Sequence, residues 1–444
     1  MLTVGPSMST RRIRAFYAIL DRLQGRSVVQ RFDEALARQA LSREALLRTA
    51  EERLREQLEY AARAVPFYAG RLDAFARGGG SEAAFAAIPP LEKKDIAAAP
   101  ESLLARGRSL AGAGVTEVRS GGTTGPPTRV ALDRETVDAH AAAALRTFLW
   151  WGADPTRRHV MLWGCPTEEN TYLSLGGRIR GRVLGRTLFD TYGVGRDGLR
   201  AIFERVRRIS LDHVAGYSSA LVESAAAARP GAPPRIRAGV AAAAEPIFDF
   251  QRPLVEAAFG APLFDRYGCN EFSAIAHQCR AGGLHVAVDR VRLDVVREDG
   301  TPAPHGEIGS LLVTDLDNRH MPLVRYRIGD LGALGPDCRC GLPFPTLRRV
   351  YGRERDALRA ADGAPRTPHD FAAALAGTPA RGFQILADAG QKVREIHVQA
   401  EPFATAEVED RWREVAGTPV RAVFVESVRR SRSGKILPVL GPES

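Results

Sequence analysis

Lysine is nearly missing from this sequence. Only Lys93, Lys94, Lys392 and Lys435 stand among 62 basic residues, and the rest are arginine. The arginines are spread along the chain and interleaved with Asp and Glu. There is no dense basic tail and no aromatic-basic stripe of the kind that tracks a nucleic-acid strand. Nucleic acid is therefore not an expected partner despite a net charge of +10. An anionic small substrate explains positive charge near a site equally well. Long apolar runs are also missing: none approaches the roughly 18 residues needed to cross a bilayer, so no membrane partner is expected. The short apolar stretch at residues 15–20 is cut off by Asp21 and Arg22 before it reaches signal-peptide length. Cysteine is scarce and odd in number, at Cys165, Cys269, Cys279, Cys338 and Cys340. That pattern points to a reducing compartment, with the cytoplasm as the default.

What is present describes a folded chain of more than one domain. With 444 residues, 45% hydrophobic and 26% charged, two or three domains are expected. Residues 1–10 read as a disordered start. Residues 32–64 read as helix, with Leu47, Ala50, Leu54, Leu58 and Ala61 at three- and four-residue steps and Ser42 as a candidate cap. Beyond residue 110, strand-like runs at 160–163, 286–291 and 310–314 alternate with helical patterns at 134–150, 197–208 and 221–228. This predicts a mixed α/β fold of sheets flanked by helices. Around residues 351–364 the composition turns charged and turn-rich. A boundary near 353 would separate a large domain, 1–352, whose first part (about 10–110) is helical, from a small mobile α+β domain, 353–444.

The strongest motif is the run from Ser120 through Gly121, Gly122, Thr123, Thr124 and Gly125 to Pro126, Pro127 and Thr128. Its glycines let backbone N–H groups approach an anion, and its hydroxyls add donors for phosphate oxygens. Strand-like flanks on both sides make it a phosphate loop within a hairpin, unlike a Walker loop, which opens a helix. A polar turn without ligand is the plainer alternative. The run resembles the phosphate signature of adenylate-forming enzymes, and the chain is similar to the phenylacetate–coenzyme A ligase family from about residue 65 to 438. Pro126 stands where the family usually has a mobile lysine. That removes a charge but leaves the backbone cradle.

Further resemblances follow in the family's order. Val65 to Tyr68 and Ile88 to Ile96 match its N-terminal landmarks and are assigned to packing. Ala244, Glu245 and Pro246 resemble the segment lining the adenine pocket. Tyr267, Gly268, Cys269, Asn270 and Glu271 resemble its Tyr-Gly-x-Thr-Glu. This implies Tyr267 beside adenine and Glu271 as a ligand to Mg²⁺, a hard ion that takes oxygen donors. Asn270 replaces Thr and still donates and accepts. Asp330, in Tyr326-Arg327-Ile328-Gly329-Asp330, matches the carboxylate that accepts from both ribose hydroxyls. Arg353 matches an arginine on the ribose, and Asp356 matches the hinge between domains. Lys435, after Ser433 and Gly434, matches the adenylation lysine that bridges the substrate carboxylate and the α-phosphate.

The resemblance implies ATP and Mg²⁺ as cofactors, and an acid–thiol ligase that makes an acyl-AMP before transferring the acyl group. Glu271 and Lys435 would be the catalytic residues. Coenzyme A is the expected acceptor, with an amine or a carrier-protein thiol as rivals. A nucleotide-binding protein without turnover is the reading that Pro126 motivates. Trp163, Tyr172 and Tyr217 are candidates for an aryl-sized acid pocket, while residues 164–170, with two adjacent carboxylates, depart from a phenylacetate enzyme. A homodimer is expected only by analogy. Cys279 and His285, with Cys338 and Cys340, supply three thiolates and an imidazole, a complete set for closed structural Zn²⁺. Buried free thiols beside a hydrogen-bonded histidine are the alternative.

Overall fold

In the computed structural model the described residues are 7–73, 75, 80–119, 128–163, 174–431 and 434–441. They form a mixed α/β chain with two compact units, Met1–Thr156 with Arg266–Val350, and Arg157–Asp265 with Tyr351–Ser444. Residues 353–444 therefore group with residues 157–265.

The first unit opens with helices α1 (Met8–Gln24), α2 (Val28–Gln39) and α3 (Arg43–Ala64). The disordered start expected through residue 10 ends sooner, because the Ser7 hydroxyl accepts from Thr10 N at 3.2 Å and caps α1. The single helical stretch expected over 32–64 is split in two. Ser42 accepts from Ala45 N at 3.2 Å and starts a new helix, with Glu44 in its first turn. The buried face of α3 runs through Leu46, Leu54, Leu58 and Ala61, and Leu47 faces outward. Strands β1 (Val115–Arg119) and β2 (Arg129–Asp133) pair antiparallel, with Arg119 opposite Arg129, so the glycine-rich run does lie between the arms of a hairpin.

Helix α4 (Arg134–Trp150) follows, capped by Asp133, whose carboxylate accepts from Thr136 N at 2.9 Å. Buried Arg146 of α4 makes two bonds to Asp289, at 2.7 and 2.8 Å, and Arg38 adds a third at 2.9 Å. Burial opposes ionisation of Asp289, but the two guanidiniums outweigh it and hold the carboxyl well below its usual range.

The sheet of this unit comprises β10 (Val291–Val296), β11 (Gly309–Asp315), β12 (Tyr326–Leu334), β13 (Thr346–Arg353), β9 (Leu284–Val286), β8 (Ser273–Gln278) and β7 (Leu263–Cys269), in that spatial order. The single strand expected over 286–291 is the end of β9 and the start of β10. A turn separates them, with Arg290 N and Val291 N both donating to the Ala287 carbonyl, at 2.9 and 3.1 Å.

The second unit holds four parallel strands in the order β6 (Arg235–Ala243), β5 (Ser210–Tyr217), β3 (His159–Trp163) and β4 (Arg186–Asp190). Helices α5 (Arg196–Arg207) and α6 (Ser218–Ala227) belong to it. From Leu211 onward β5 is buried throughout, the pattern of a parallel strand covered on both faces. Beyond a short ladder of β14 (Leu358–Arg359) and β15 (Pro365–Arg366), a mixed four-stranded sheet runs in the order β18 (Arg421–Val425), β17 (Val393–Gln399), β16 (Gly382–Ala387), β19 (Val439–Leu440). Helix α7 (Ala406–Ala416) contributes Trp412 to its core, where Nε1 donates to the Phe371 carbonyl at 2.9 Å. Among the described residues no helix is long and apolar enough to cross a membrane.

At the start of the parallel strands the His159 ring stacks on His213, centroids 4.6 Å apart. Burial, and then the neighbouring His213, push the His159 pKa down to about 4. An unfolded histidine titrates near 6.5. Between these values the unfolded chain binds the extra proton, so stability is complete above about pH 6.5 and is lost as pH falls towards about 4. His159→Asn should remove on the order of 2 kcal/mol from the stability lost over that window, read from urea unfolding at pH 7 and pH 4.5. Equal losses in the two proteins would contradict it.

Candidate functional site

In the first unit, three sequence motifs converge on the turn after β7. Strands β7 and β8 slip register between Tyr267 and Gly268. A Cβ on Gly268 would sit 1.9 Å from the Ser273 carbonyl oxygen, so only glycine permits this crossing. Ser273 itself takes a left-handed conformation, φ 56°. The tight turn buries Glu271, which is 4% exposed, while Asn270 points outward. Burial and then the Glu271 carboxylate push the Cys269 thiol well above its ordinary range, so Cys269 stays neutral beside it.

Two hydrogen bonds tie this turn to distant chain. Asn270 Nδ2 donates to the Arg119 carbonyl at 2.9 Å, at the foot of the glycine-rich loop. Tyr267 donates its hydroxyl proton to Asp330 Oδ2 at 2.8 Å. The Tyr267–Glu271 motif, the Asp330 motif and the hairpin neck are thus neighbours. The loop residues themselves, Ser120, Gly121, Gly122, Thr123, Thr124, Gly125, Pro126 and Pro127, lie outside the described residues, as does Tyr172. At the neck, Arg119 and Arg129 both bond to Glu117, at 2.9 and 2.6 Å.

The segment that sequence reading left to packing also borders this site. Leu91 exchanges backbone bonds with Arg325 and Arg327, and Glu92 accepts from Arg327 Nε at 2.9 Å. Lys93 thereby comes to Gly329 of β12, which adopts φ +82° and whose Cβ, if present, would stand 3.2 Å from the Lys93 Nζ. The rarity of lysine was the signal that this residue is more than filler.

In the second unit, Trp163 ends β3 and Tyr217 ends β5, and their rings meet edge-on with centroids 4.7 Å apart. Both stand at the carboxyl ends of parallel strands, where open α/β sheets bind ligands. Gly216 precedes Tyr217, and a Cβ there would lie 2.8 Å from the Leu162 carbonyl oxygen. Ala244 is exposed with φ 69°, a left-handed conformation costly for alanine. Next to it, Glu245 is fully occupied. Its Oε2 accepts from Ser219 N at 3.0 Å, its Oε1 from Ile436 N at 2.6 Å, and its carbonyl from Ser218 Oγ at 2.7 Å. Pro246 is half-buried beside it.

Ile436 follows Lys435, so Glu245 anchors the lysine-bearing loop. That loop is closed by Ser431 N donating to the Lys435 carbonyl at 2.7 Å and Lys435 N donating to Ser431 Oγ at 3.2 Å. Arg430 pairs with Glu223 and donates to Ser219 Oγ at 3.1 Å. Burial raises the Glu223 pKa, and Arg430 only partly offsets it. Arg353 closes β13 half-buried, and Asp356 is buried in the turn Glu354–Asp356 that follows.

A second cluster lies elsewhere in the first unit. The ligand atoms of Cys279, His285, Cys338 and Cys340 all fall within 4.8 Å of one another. The Cys279 and Cys338 sulfurs are 3.6 Å apart, and the Cys340 sulfur is 3.1 Å from His285 Nε2. A tetrahedral zinc with Zn–S about 2.3 Å needs sulfur–sulfur edges of roughly 3.8 Å, so the set fits. His285 lies within β9, and its Nδ1 bonds the Phe344 carbonyl at 2.8 Å, which turns Nε2 to the thiols. Gly283, which sequence reading missed, makes room: a Cβ there would lie 2.7 Å from the Cys338 sulfur.

No family model matches the chain. The phenylacetate–coenzyme A ligase of Thermus thermophilus is 27% identical over 338 residues, covering 72% of this chain and 73% of that protein. The Escherichia coli protein of the same name is 27% identical over 246 residues, 54% of this chain and 55% of its own. Among solved structures, a 2-hydroxyisobutyryl-CoA ligase with a bound acyl-AMP superposes with TM-score 0.73 over 91% of both chains at 19% identity. An anthranilate CoA ligase bound to anthranoyl-AMP superposes with TM-score 0.55 over 72% of this chain and 64% of its own, at 17% identity. In sequence this chain is similar to phenylacetate–coenzyme A ligases, and in fold it is similar to CoA ligases solved with an acyl-AMP.

Proposed function

We propose that this chain activates a carboxylic acid with ATP, releases pyrophosphate, and passes the acyl group from the acyl-AMP to the thiol of coenzyme A. The acid is read as aryl-sized, on the Trp163–Tyr217 pair. The observation that carries the reading is the Asn270–Arg119 bond, which draws the Tyr267–Glu271 motif to the neck of the glycine-rich loop. In this reading, backbone N–H groups of residues 120–125 cradle the phosphates, and Asp330 takes the ribose hydroxyls with Arg353 nearby. Tyr267, Gly268, Asn270 and Ala244 to Pro246 border the adenine side. Arg119 and Arg129 supply positive charge near the loop that Pro126 leaves without its lysine.

The first step needs no general base. A carboxylate oxygen attacks the α-phosphorus, the bond to the pyrophosphate oxygen breaks, and charge builds on the phosphoryl oxygens. Glu271 is the residue that would hold Mg²⁺, which neutralises part of that charge. Lys435 bridges the acid and the α-phosphate. Movement of the Lys435 loop, with Asp356 as the hinge, would then admit the thiol. The Cys279–His285–Cys338–Cys340 set is read as a structural zinc site. It has four protein ligands and no open position, and it pins two separate loops together without entering the chemistry.

Acid-dependent exchange of labelled pyrophosphate into ATP tests the activity. Lys435→Ala should lower it by roughly 10²- to 10³-fold, the cost of removing one preorganised transition-state contact. Arg430→Glu should lower it as well, and Glu223→Arg in the same chain should restore part of the loss. Wild-type exchange that needs no acid, or that survives loss of Lys435, would overturn the reading. For the metal, elemental analysis should find one zinc per chain (about one molar equivalent). Cys338→Ser should abolish it and lower the unfolding temperature by several degrees; metal-free protein of unchanged stability would refute the site.

A further inference from the structure

The outer face of α1 carries the most exposed large apolar side chains among the described residues. Met8, Ile19 and Leu23 are 75%, 61% and 77% exposed, more than any other. A helix advances about 100° per residue, so these three share one stripe with Ala15 and lie opposite Thr10, Ile13 and Tyr17. The opposite face is already occupied. Ile13 and Tyr17 pack with Val28 and Phe32 of α2 and with Ala142 and Leu145 of α4.

The same outward sector carries charge of one sign. By the same 100° step Arg11, Arg12 and Arg22 fall within or beside the stripe. All three are exposed, and none forms an ion pair among the described residues. The carboxylates nearby are committed elsewhere. Asp21, the one acidic residue of α1, accepts from Val29 N at 2.8 Å. On α2, Asp33 pairs with Arg14 and Glu34 with Arg31; on α4, Glu135 pairs with Arg31 and Asp138 with Arg26. Three guanidiniums beside an apolar stripe are thus left without a counter-charge.

Charge and shape select what covers this face. A second copy would add its arginines to the first set, with no carboxylate on the stripe to receive them. A groove in an acidic protein would have to wrap the helix, and α1 is already packed on its other side against α2 and α4. A flat anionic bilayer surface meets neither obstacle. Met8 to Leu23 spans roughly 22 Å of helix axis, so the stripe can enter the boundary between headgroups and acyl chains while the guanidiniums stay at the level of the phosphates. Lying on a bilayer in this way needs no apolar run long enough to cross it. We infer that α1 docks this protein on membrane surfaces that carry anionic lipid, with Met8, Ile19 and Leu23 inserted and Arg11, Arg12 and Arg22 on the headgroups. The inference is independent of the ligase reading, because no residue of α1 is assigned to that site.

Flotation of the full chain with vesicles tests this, using phosphatidylcholine alone and phosphatidylcholine mixed with phosphatidylserine. At low salt the wild type should bind the mixed vesicles about 100-fold more tightly, from three arginines at roughly fivefold each. High salt should erase that preference. A chain with Arg11→Gln, Arg12→Gln and Arg22→Gln should bind both vesicles alike. A chain with Met8→Ser, Ile19→Ser and Leu23→Ser should bind neither. Both should keep the wild-type urea midpoint, since the replaced side chains face solvent. As a second measurement, Ile19→Trp should be quenched by lipid brominated in its acyl chains, beyond any quenching of the wild type. Equal wild-type binding to the two lipids, no binding at low salt, or binding that survives the three serines would each overturn the inference. So would a dimer in light scattering that the three serines dissociate, or retention on polyglutamate through these six residues with no hold on vesicles.

Discussion

The turn that follows β7 is the constraint on which the first unit's site depends. The Ser273 carbonyl occupies the space where a side chain at residue 268 would be, which forces glycine there and a left-handed Ser273 beyond it. That crossing buries Glu271, sends Asn270 out to the hairpin neck and directs the Tyr267 hydroxyl to Asp330. Residues from three separate parts of the chain are set by one backbone contact. A substitution at Gly268 would be felt at all of them, with no single ligand group removed.

The second unit solves a different problem. In the proposed chemistry, a lysine that neutralises charge in the transition state is useful only if its loop is held in register, yet the loop must also be able to leave. Glu245 and the Arg430–Glu223 pair meet both needs with few, polar, partly solvated contacts. Such contacts are stronger than a bare loop and weaker than an apolar interface. Hydrogen bonds to a carboxylate also explain why Glu245 belongs to a motif otherwise made of small residues. Its side chain is spent on the loop and on the first turn of α6, leaving the strained Ala244 backbone as the exposed surface.

Much of this was legible in the sequence, and the reasons differ by feature. Strands β3 and β11 coincide with the apolar runs at 160–163 and 310–314, because near-continuous burial dictates them, and helix α4 coincides with the helical stretch at 134–150. The hairpin around residues 120–127 was readable from strand-like flanks, and the cysteine–histidine set from ligand chemistry alone. Periodicity could not reveal the break at Ser42 or the turn at 287–290. A single capping hydroxyl decides the first, and hydrogen bonds to one carbonyl decide the second. Choosing Leu47 over Leu46 was an error of one step, about 100° of helix face. Contacts between residues far apart in sequence, such as Asn270 with Arg119 or Glu245 with Ile436, leave no local trace.

The central claim is that Asp330, oriented by Tyr267, holds the ribose of a nucleotide. Calorimetric titration with ATP and with 2′,3′-dideoxy-ATP, using wild type and Asp330→Ala, tests it most directly. The account predicts that Asp330→Ala weakens ATP by at least about 10-fold, in keeping with the loss of a charge-assisted hydrogen bond, while hardly altering the already weaker dideoxy nucleotide. Equal affinity of both chains for ATP, or the same loss for both nucleotides, would contradict it.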